Sequence, residues 1–264
     1  MCELFAMSSR VATTVDLSLH RLARRGGPSG HLGDGWGVGF YDENDARVFR
    51  EPEPADESAW VRFLAGQHMR SQIVVSHIRH ATQGDIALRN TQPFARELGG
   101  RIHLFIHNGN LTGIEQRLAG EWGRYQPIGT TDSEVAFCIL LERLAPLWTQ
   151  PAPSPADRLA VVARLAAELR EIGPANFIYS DGELLIAHGH RRIQPDRSTA
   201  PPGLTVLHRD CVVDRDALAS AGVRLDDPQI VTLFASVPLT TETWRPLGEG
   251  EIVVVRNGEI VTTA

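Results

Sequence analysis

Short apolar runs separated by polar turns dominate the hydrophobic pattern of this chain. Residues 2–7, 72–79 and 101–106 are runs of strand length, and the second is rich in the β-branched side chains that favour a buried strand. The dipeptides Asp181-Gly182 and Asn257-Gly258 are two-residue turn signals, and each predicts a β-hairpin. Strands are therefore predicted at the start of the chain and again in its C-terminal third.

Helical patterns lie between these strands. Helices are predicted over residues 16–25, after Asp56 as N-cap, from Thr131 onward and over about 156–172. Thr131 and Glu134, three residues apart, form a capping-box pattern at the start of the third of these helices. The helix after Asp56 carries its apolar residues on one face, namely Trp60, Phe63 and Leu64.

The order of these elements indicates the fold class. Strands come first, two consecutive helices follow, and strands return. Because sheets and helices segregate rather than alternate, the pattern predicts a layered α+β fold and not a doubly wound parallel sheet. A loop of about twenty residues is predicted after residue 79, a length that is often functional. The proline-rich segment 151–155 is too short to mark a boundary, so residues 2–264 are expected to form a single domain.

Composition narrows the kinds of partner. The chain has 264 residues, is 42% hydrophobic and 22% charged, and carries a formal net charge of −6 that is spread along its length. This balance suggests neither a nucleic-acid partner nor a membrane surface, and no apolar run approaches the roughly 20 residues of a membrane span. The three cysteines, Cys2, Cys138 and Cys211, are too scattered for a disulfide framework. The N-terminus also lacks the features of a signal peptide, so a cytoplasmic protein is expected.

The glycine-rich stretch at residues 30–39 runs into a predicted hairpin with its turn at residues 42–45. It contains neither a P-loop nor a G-x-G-x-x-G dinucleotide motif, so no nucleotide cofactor is predicted. The glycines at 33, 35, 37 and 39 share one face of a strand by the two-residue period. That face permits close approach of a ligand or of another backbone, and the alternative of simple sheet packing stays open.

Histidine pairs raise the question of a metal site. His77 and His80 are three residues apart, and His103 and His107 are four apart. On strands, residues four apart lie roughly 13 Å from each other, too far to share an ion bound at about 2 Å. No metal is predicted, although a metal-binding protein that uses these strands is kept as an alternative.

Cys2 is the candidate residue with the most reactive groups. Removal of Met1 would give it two reactive groups, a nucleophilic thiol and a free α-amine that can act as a built-in base. A single cysteine near a terminus usually has no special role, so position by itself does not decide between the two interpretations.

Three further polar clusters each have a structural and a functional interpretation. Arg79 is either a surface arginine or a planar clamp for a carboxylate. Asn108 and Gly109 are either an ordinary turn or the paired donors of an oxyanion hole. Asp132 either favours the positive end of a helix dipole or receives a substrate ammonium. Together with Cys2, these groups compose a site that would recognise the amino-acid end of glutamine and attack its side-chain amide.

On these residues the chain resembles the class II glutamine amidotransferases, which use an N-terminal nucleophile, and it looks most like their small stand-alone members. The resemblance spans nearly the whole chain. The matching segments, in the order of the family, are Met1-Cys2-Glu3-Leu4, Asp34-Gly35-Trp36-Gly37, His77-Ile78-Arg79, His107-Asn108-Gly109 and Thr131-Asp132-Ser133-Glu134.

The resemblance implies a four-layer αββα sandwich of two antiparallel sheets, of the N-terminal nucleophile hydrolase type. It implies that Cys2 is the nucleophile once Met1 is removed. The remaining roles that it implies are an oxyanion hole at Asn108 and Gly109, a carboxylate contact at Arg79, an ammonium contact at Asp132 and a further substrate contact at Thr82. His80 stands where many relatives carry an aromatic residue, so no role is assigned to its side chain.

The expected activity is cleavage of the γ-amide of glutamine, or of another γ-glutamyl compound, through a thioester on Cys2, with no cofactor. A separate synthase that accepts the ammonia is one expected partner, and direct hydrolysis of a γ-glutamyl amide would need none. A non-catalytic binding or scaffold protein that retains the fold is the alternative.

Overall fold

The computed structural model describes residues 2–15, 33–121, 123–148, 152–209, 223–224 and 229–264. The helix predicted over residues 16–25 and the third cysteine, Cys211, lie outside these ranges. Among the described helices, none is long and apolar enough to cross a membrane.

Two antiparallel sheets contain almost all of the described strands. The first has the order β14 (Arg245–Pro246), β11 (Thr205–Arg209), β13 (Val231–Ala235), β1 (Glu3–Val15), β4 (Arg70–Arg79), β2 (Gly35–Asp42) and β3 (Asp45–Glu51), with β12 (Val223–Arg224) also paired to β1. The second has the order β16 (Glu259–Thr263), β15 (Ile252–Arg256), β8 (Leu185–His188), β7 (Ala175–Ser180), β6 (Arg101–Gly109) and β5 (Phe94–Leu98). A two-stranded ribbon joins β9 (Arg192–Ile193) to β10 (Thr199–Ala200).

Four helices are described: α1 (Ala59–Ala65), α2 (Ile114–Arg117), α3 (Asp132–Leu144) and α4 (Pro155–Ile172). The Thr131 side chain caps α3 by accepting from the Glu134 N–H, as the capping-box pattern predicts. The Glu134 carboxylate accepts from the Gly129 N–H at 2.7 Å and from Arg96, so its contacts reach beyond the cap. Ser154 caps α4 in the same way and Pro155 occupies its first turn, where proline is tolerated.

Three apolar cores separate four layers. The first core packs α3 and α4 against the second sheet, and the second packs α1 against the first sheet. The third lies between the two sheets. Side chains that alternate along strand β1 contribute to two of these cores: Leu4 and Ala6 face the other sheet, whereas Phe5 and Met7 face the α1 side. The prediction of an α+β sandwich with helices outside two antiparallel sheets is confirmed.

The glycine face of β2 meets other parts of the fold at close range. A Cβ atom on Gly37 would overlap the carbonyl oxygen of Gln92, and one on Gly39 would overlap the Leu104 side chain of the second sheet. The prediction of close approach at these glycines is confirmed, and the groups that approach are protein atoms rather than a ligand.

The predicted N-cap of α1 is wrong, and its buried residue was not among the three apolar residues predicted. Ser58, not Asp56, caps α1, since its hydroxyl accepts from the Val61 N–H at 3.1 Å. Val61 is the buried residue of this helix and Leu64 packs against the same core, while Trp60 and Phe63 are about half exposed and pack on each other.

The prediction of a long loop after residue 79 is also partly wrong, because this segment contains the strand β5 and a 3₁₀ turn at Leu88–Asn90. Strand β5 pairs with β6 along its full length, and its buried ends are Phe94 and Leu98. The intervening positions are mostly half-exposed, which gave the segment no strong apolar run.

A buried ion network fixes α4 to the second sheet. Arg158 is 2% exposed and donates at 2.8 Å to both Asp181 and Glu183, which follow β7 in the hairpin turn. Its guanidinium carbon lies 5.5 Å from the centre of the Trp148 ring, a cation–π distance. The predicted turn at Asp181-Gly182 is confirmed, and Asp181 serves in it as the fully buried partner of a cation.

Replacement of Arg158 by alanine should lower the free energy of unfolding by about 3–5 kcal/mol, because Asp181 would keep its burial and lose its partner. The matched control is Arg47→Ala, which breaks a 2.7 Å pair with Asp42 whose two side chains are each 62% exposed. That change should cost less than about 1 kcal/mol. Urea unfolding of the two variants measures both values, and equal losses would contradict the assignment.

Candidate active site

Cys2 lies directly before β1, in the middle of the first sheet and beside the end of β4. Its sulfur is held by the backbone of one residue, His80, at the turn that follows β4. The His80 N–H donates to Sγ at 3.3 Å, and the thiol is 3.4 Å from the His80 carbonyl oxygen. The thiol is therefore held against a single peptide segment.

A buried ion pair anchors the strand that carries Cys2. Arg192 donates to the Glu3 carboxylate at 2.9 Å, and both side chains are almost completely buried. Ser236 adds two bonds of 3.0 Å to the backbone of Leu4, one accepted by its hydroxyl and one donated by its N–H. Burial raises the pKa of Glu3, and the Arg192 charge opposes that rise. No local pattern in the sequence indicates this anchor.

Asn108 and Gly109 are the last residues of β6, paired with Asn176 and Ala175 of β7. The turn interpretation of this dipeptide is therefore excluded. The Asn108 side-chain amide donates to the Cys2 carbonyl oxygen at 2.7 Å, a bond that crosses from the second sheet to the first. A Cβ atom on Gly109 would overlap the Pro174 carbonyl oxygen, so this strand end requires glycine.

Arg79 is the last residue of β4 and is 3% exposed, which excludes the interpretation as a surface arginine. Its guanidinium donates to the carbonyl oxygens of the loop that follows: Asp85 at 2.9 Å, Gln83 at 2.9 Å and Gly84 at 3.1 Å. Burial lowers its pKa, and the nearby Cys2, Asp34 and Asp85 oppose that shift. The structure thus brings a buried cation close to Cys2 and wraps a loop around it.

Asp132 begins α3 and lies in an adjoining depression of about 230 Å³, together with Gln83 and Thr130. Its carboxylate accepts from the Leu111 N–H at 2.6 Å and from the Ser133 N–H at 2.8 Å. Gln83 connects this depression to the Cys2 cleft, because its amide donates to the side chain of Asn110, which lines that cleft.

Most of the predicted site residues line one cleft of about 180 Å³. Cys2, Thr82, Asn108 and Gly109 all line it. Its remaining wall was not anticipated from the sequence and consists of His80, Asn110, Pro174, Arg191, Arg192 and Ile193. Arg191 and Ile193 are half-exposed at the mouth, and Arg191 pairs with Glu249 at 2.5 Å. The arginines of this wall carried no motif that a sequence pattern could detect.

The buried histidines His103 and His107 have separate hydrogen-bond partners. His103 is bonded to the Tyr179 hydroxyl at 2.8 Å and to the Leu98 carbonyl at 3.1 Å, and His107 to the Ser133 hydroxyl at 2.8 Å. Burial lowers the pKa of His77 to about 3. Within the part of the chain that the structure describes, no three metal-binding side chains converge.

The fold defines the class of protein first. The structure of the glutamine phosphoribosylpyrophosphate amidotransferase from B. subtilis, complexed with ADP and GMP, superposes with a TM-score of 0.64 over 100% of this chain and 49% of that one. At 16% identity this likeness shows the fold, in which two antiparallel sheets pack face to face.

The family follows from closer relatives. The family described as glutamine amidotransferases class-II matches residues 1–264. YafJ of Escherichia coli, named provisionally as a glutamine amidotransferase, is 37% identical over 252 residues, which cover 95% of this chain and 96% of YafJ. The crystal structure of a predicted glutamine amidotransferase from Pseudomonas aeruginosa has a TM-score of 0.71 at 32% identity and covers 99% of this chain and 100% of that one. The chain belongs to the class II glutamine amidotransferases, as the sequence resemblance predicted.

Replacement of Arg192 by methionine should lower the free energy of unfolding by about 3–5 kcal/mol at pH 8, because the Glu3 carboxylate would be buried without its partner. The pKa of Glu3 in the folded variant would then lie further above the ordinary value of 4.5. Stability is retained below that ordinary value and is lost as the pH rises through the raised one. The loss should therefore be smaller at pH 5 than at pH 8.

Urea unfolding at the two pH values measures this difference. Arg47→Met is the matched control, since it breaks the exposed pair with Asp42 and leaves no buried charge. A loss for Arg192→Met that is the same at pH 5 and pH 8 would show that the Glu3 charge does not control the anchor.

Proposed function

We propose that this protein cleaves the γ-amide of glutamine or of a related γ-glutamyl compound, with Cys2 as the nucleophile after removal of Met1. The observation that carries the proposal is a cleft lined by both Cys2 and Asn108, in which the Asn108 amide donates to the Cys2 carbonyl oxygen. The chain that contains this cleft is a member of the class II amidotransferase family. Both sheets contribute to this cleft, so the reacting groups are positioned by the rigid part of the fold.

The first chemical step is formation of the thiolate. Burial raises the pKa of the Cys2 thiol, and the His80 hydrogen bond and the Arg79 charge act in the opposite direction. A thiol with a raised pKa needs a base to take its proton, and the freed Cys2 α-amine, with a reference pKa near 8, is partly neutral at pH 7. The amine takes the proton directly or through a water molecule.

The second step is attack of the thiolate on the γ-carbonyl carbon, which forms a C–S bond and a tetrahedral oxyanion. The Asn108 amide and the Gly109 N–H are the proposed donors to this oxygen. Collapse of the intermediate expels the nitrogen, which leaves with the proton from the amine as ammonia. Water then hydrolyses the γ-glutamyl thioester, which gives glutamate and restores the thiol.

Arg79 and Asp132 are the proposed contacts for the α-carboxylate and the α-ammonium of the substrate, with Thr82 as a further contact. In the structure, the Arg79 guanidinium donates hydrogen bonds to the loop carbonyls of Gln83 to Asp85, and the Asp132 carboxylate accepts hydrogen bonds from backbone N–H groups. A substrate carboxylate would take the place of some of these carbonyls, since an anion is a stronger partner for a buried guanidinium than a neutral carbonyl.

The leaving group decides the biological role. Glutamine would release ammonia, which a separate synthase could accept. The half-exposed Arg191 and Ile193 also line the cleft, so a larger γ-glutamyl leaving group would have a cation to contact. In that case hydrolysis would need no partner.

The test is incubation of the Met1-processed protein with glutamine and a panel of γ-glutamyl amides and peptides, with glutamate release as the readout. Mass spectrometry of the intact protein establishes that Met1 is absent. Cys2→Ala should abolish release. Cys138→Ala is the matched control and should preserve it, because Cys138 is buried in α3 and its thiol pKa is raised to about 12 by burial. Failure of the processed wild type on every compound would favour the scaffold alternative.

Replacement of Asn108 by alanine should lower kcat by roughly 10²–10³-fold with little change in KM, as expected for a donor that acts on the transition state. Asn108→Asp should lose as much, because it keeps the size of the side chain but replaces the donor by an acceptor. Steady-state kinetics with thermal melts of both variants separate catalysis from folding. Unchanged turnover in Asn108→Ala would remove this amide from the mechanism.

A further inference from the structure

The peptide groups of His80 surround the Cys2 sulfur on two sides. The His80 N–H lies 3.3 Å from Sγ as a donor, and the His80 carbonyl oxygen lies 3.4 Å away as an acceptor for the thiol proton. The acceptor suits the neutral thiol, and the donor suits the thiolate. The rotamer and the charge state of the sulfur therefore depend on where this one residue is held.

Asp34 holds the chain on both sides of His80. Its N–H donates to the Arg79 carbonyl oxygen at 2.7 Å, and its carboxylate accepts from the Ala81 N–H at 2.7 Å. Asp34 itself is fixed directly before β2, whose Gly35 pairs with Arg79 of β4. The approach is close, since a Cβ atom on Gly33 would lie 2.7 Å from the same Arg79 oxygen.

We propose that Asp34 is a positioning residue for the nucleophile: by bracketing His80 it keeps the His80 N–H directed at the Cys2 sulfur. The inference rests on the proposed role of Cys2, but it concerns a side chain that would contact neither substrate nor sulfur. The required interaction is a hydrogen bond accepted from Ala81, so the oxygen atom matters and the negative charge does not.

Other charges act on the same thiol and remain in place when Asp34 is replaced. Arg79 at the end of β4 lowers the thiol pKa, and Glu3 on β1 raises it. Arg191 and Arg192 also line the cleft. Any change in Cys2 reactivity on replacement of Asp34 must therefore be separated from a change in the field at Arg79, which Asp34 also influences.

Three substitutions make this separation. Asp34→Ala removes the acceptor, Asp34→Asn keeps an oxygen at the same distance without the charge, and Asp34→Glu keeps the charge but moves it by one methylene group. Asp45→Ala is the matched control, because Asp45 accepts from the Ala46 N–H at 2.7 Å in an exposed hairpin turn away from Cys2. All four are tested as the Met1-processed protein.

The readout is the pH dependence of Cys2 alkylation by iodoacetamide, quantified on the Cys2 peptide by mass spectrometry. Asp34→Ala should move the midpoint up by about one pH unit, the effect of one lost hydrogen bond to a charged sulfur. Its kcat with glutamine should fall about tenfold, with KM within about twofold of the wild type. Asp34→Glu should behave like Asp34→Ala, whereas Asp34→Asn and Asp45→Ala should match the wild type.

The proposal is overturned if Asp34→Ala and Asp45→Ala share one midpoint, or if Asp34→Asn shifts as far as Asp34→Ala, since the charge would then be responsible. Should Asp34→Ala fail to fold by circular dichroism, the contrast between Asp34→Asn and Asp34→Glu decides the question. Alkylation requires no turnover. A protein that shows the shift without hydrolysing any γ-glutamyl compound would retain the positioning role of Asp34 and lose the proposed function.

Discussion

The buried pair between Glu3 and Arg192 is the constraint on which the rest of the site depends. It joins the first strand to a residue 189 positions later in the chain, and it fixes the backbone directly beside Cys2. A buried ion pair contributes little net stability, but its geometry is demanding because a displaced partner would leave a charge without solvation. The first residues of a domain normally fray unless they are tied down, and this anchor holds the backbone beside the proposed nucleophile in place.

The sandwich supplies the second requirement, which is close contact between strand ends from different sheets. Strand β4 ends at Arg79 and strand β6 ends at Gly109, and each end contributes to the surroundings of Cys2. The sheets approach closely where β2 carries glycine, so that Gln92 and Leu104 of the opposite layer fill the space that side chains would take. The glycine face therefore acts on the site indirectly, through the distance between the layers.

The sequence predicted the groups near Cys2 better than it predicted the contacts that hold them. Period-two patterns, turn dipeptides and the capping box are local, and they identified the hairpins, the start of α3 and the fold class. The Arg192 contact with Glu3 is set by tertiary packing and leaves no local pattern. The N-cap of α1 was misplaced by two residues because Asp56 and Ser58 are both good caps, and the Ser58 hydroxyl is the one that accepts from the Val61 N–H.

Backbone groups dominate the immediate surroundings of the Cys2 sulfur, so the side chains there can vary. The His80 peptide groups and the proposed Gly109 donor belong to every residue type, so they make few demands on side-chain identity. The demands fall instead on the residues that direct the backbone: glycine at 109, where a side chain would strike Pro174, and Asp34, whose oxygen fixes Ala81. Around the Cys2 sulfur, the side chains that matter most are those that direct the backbone, one contact away from the sulfur itself.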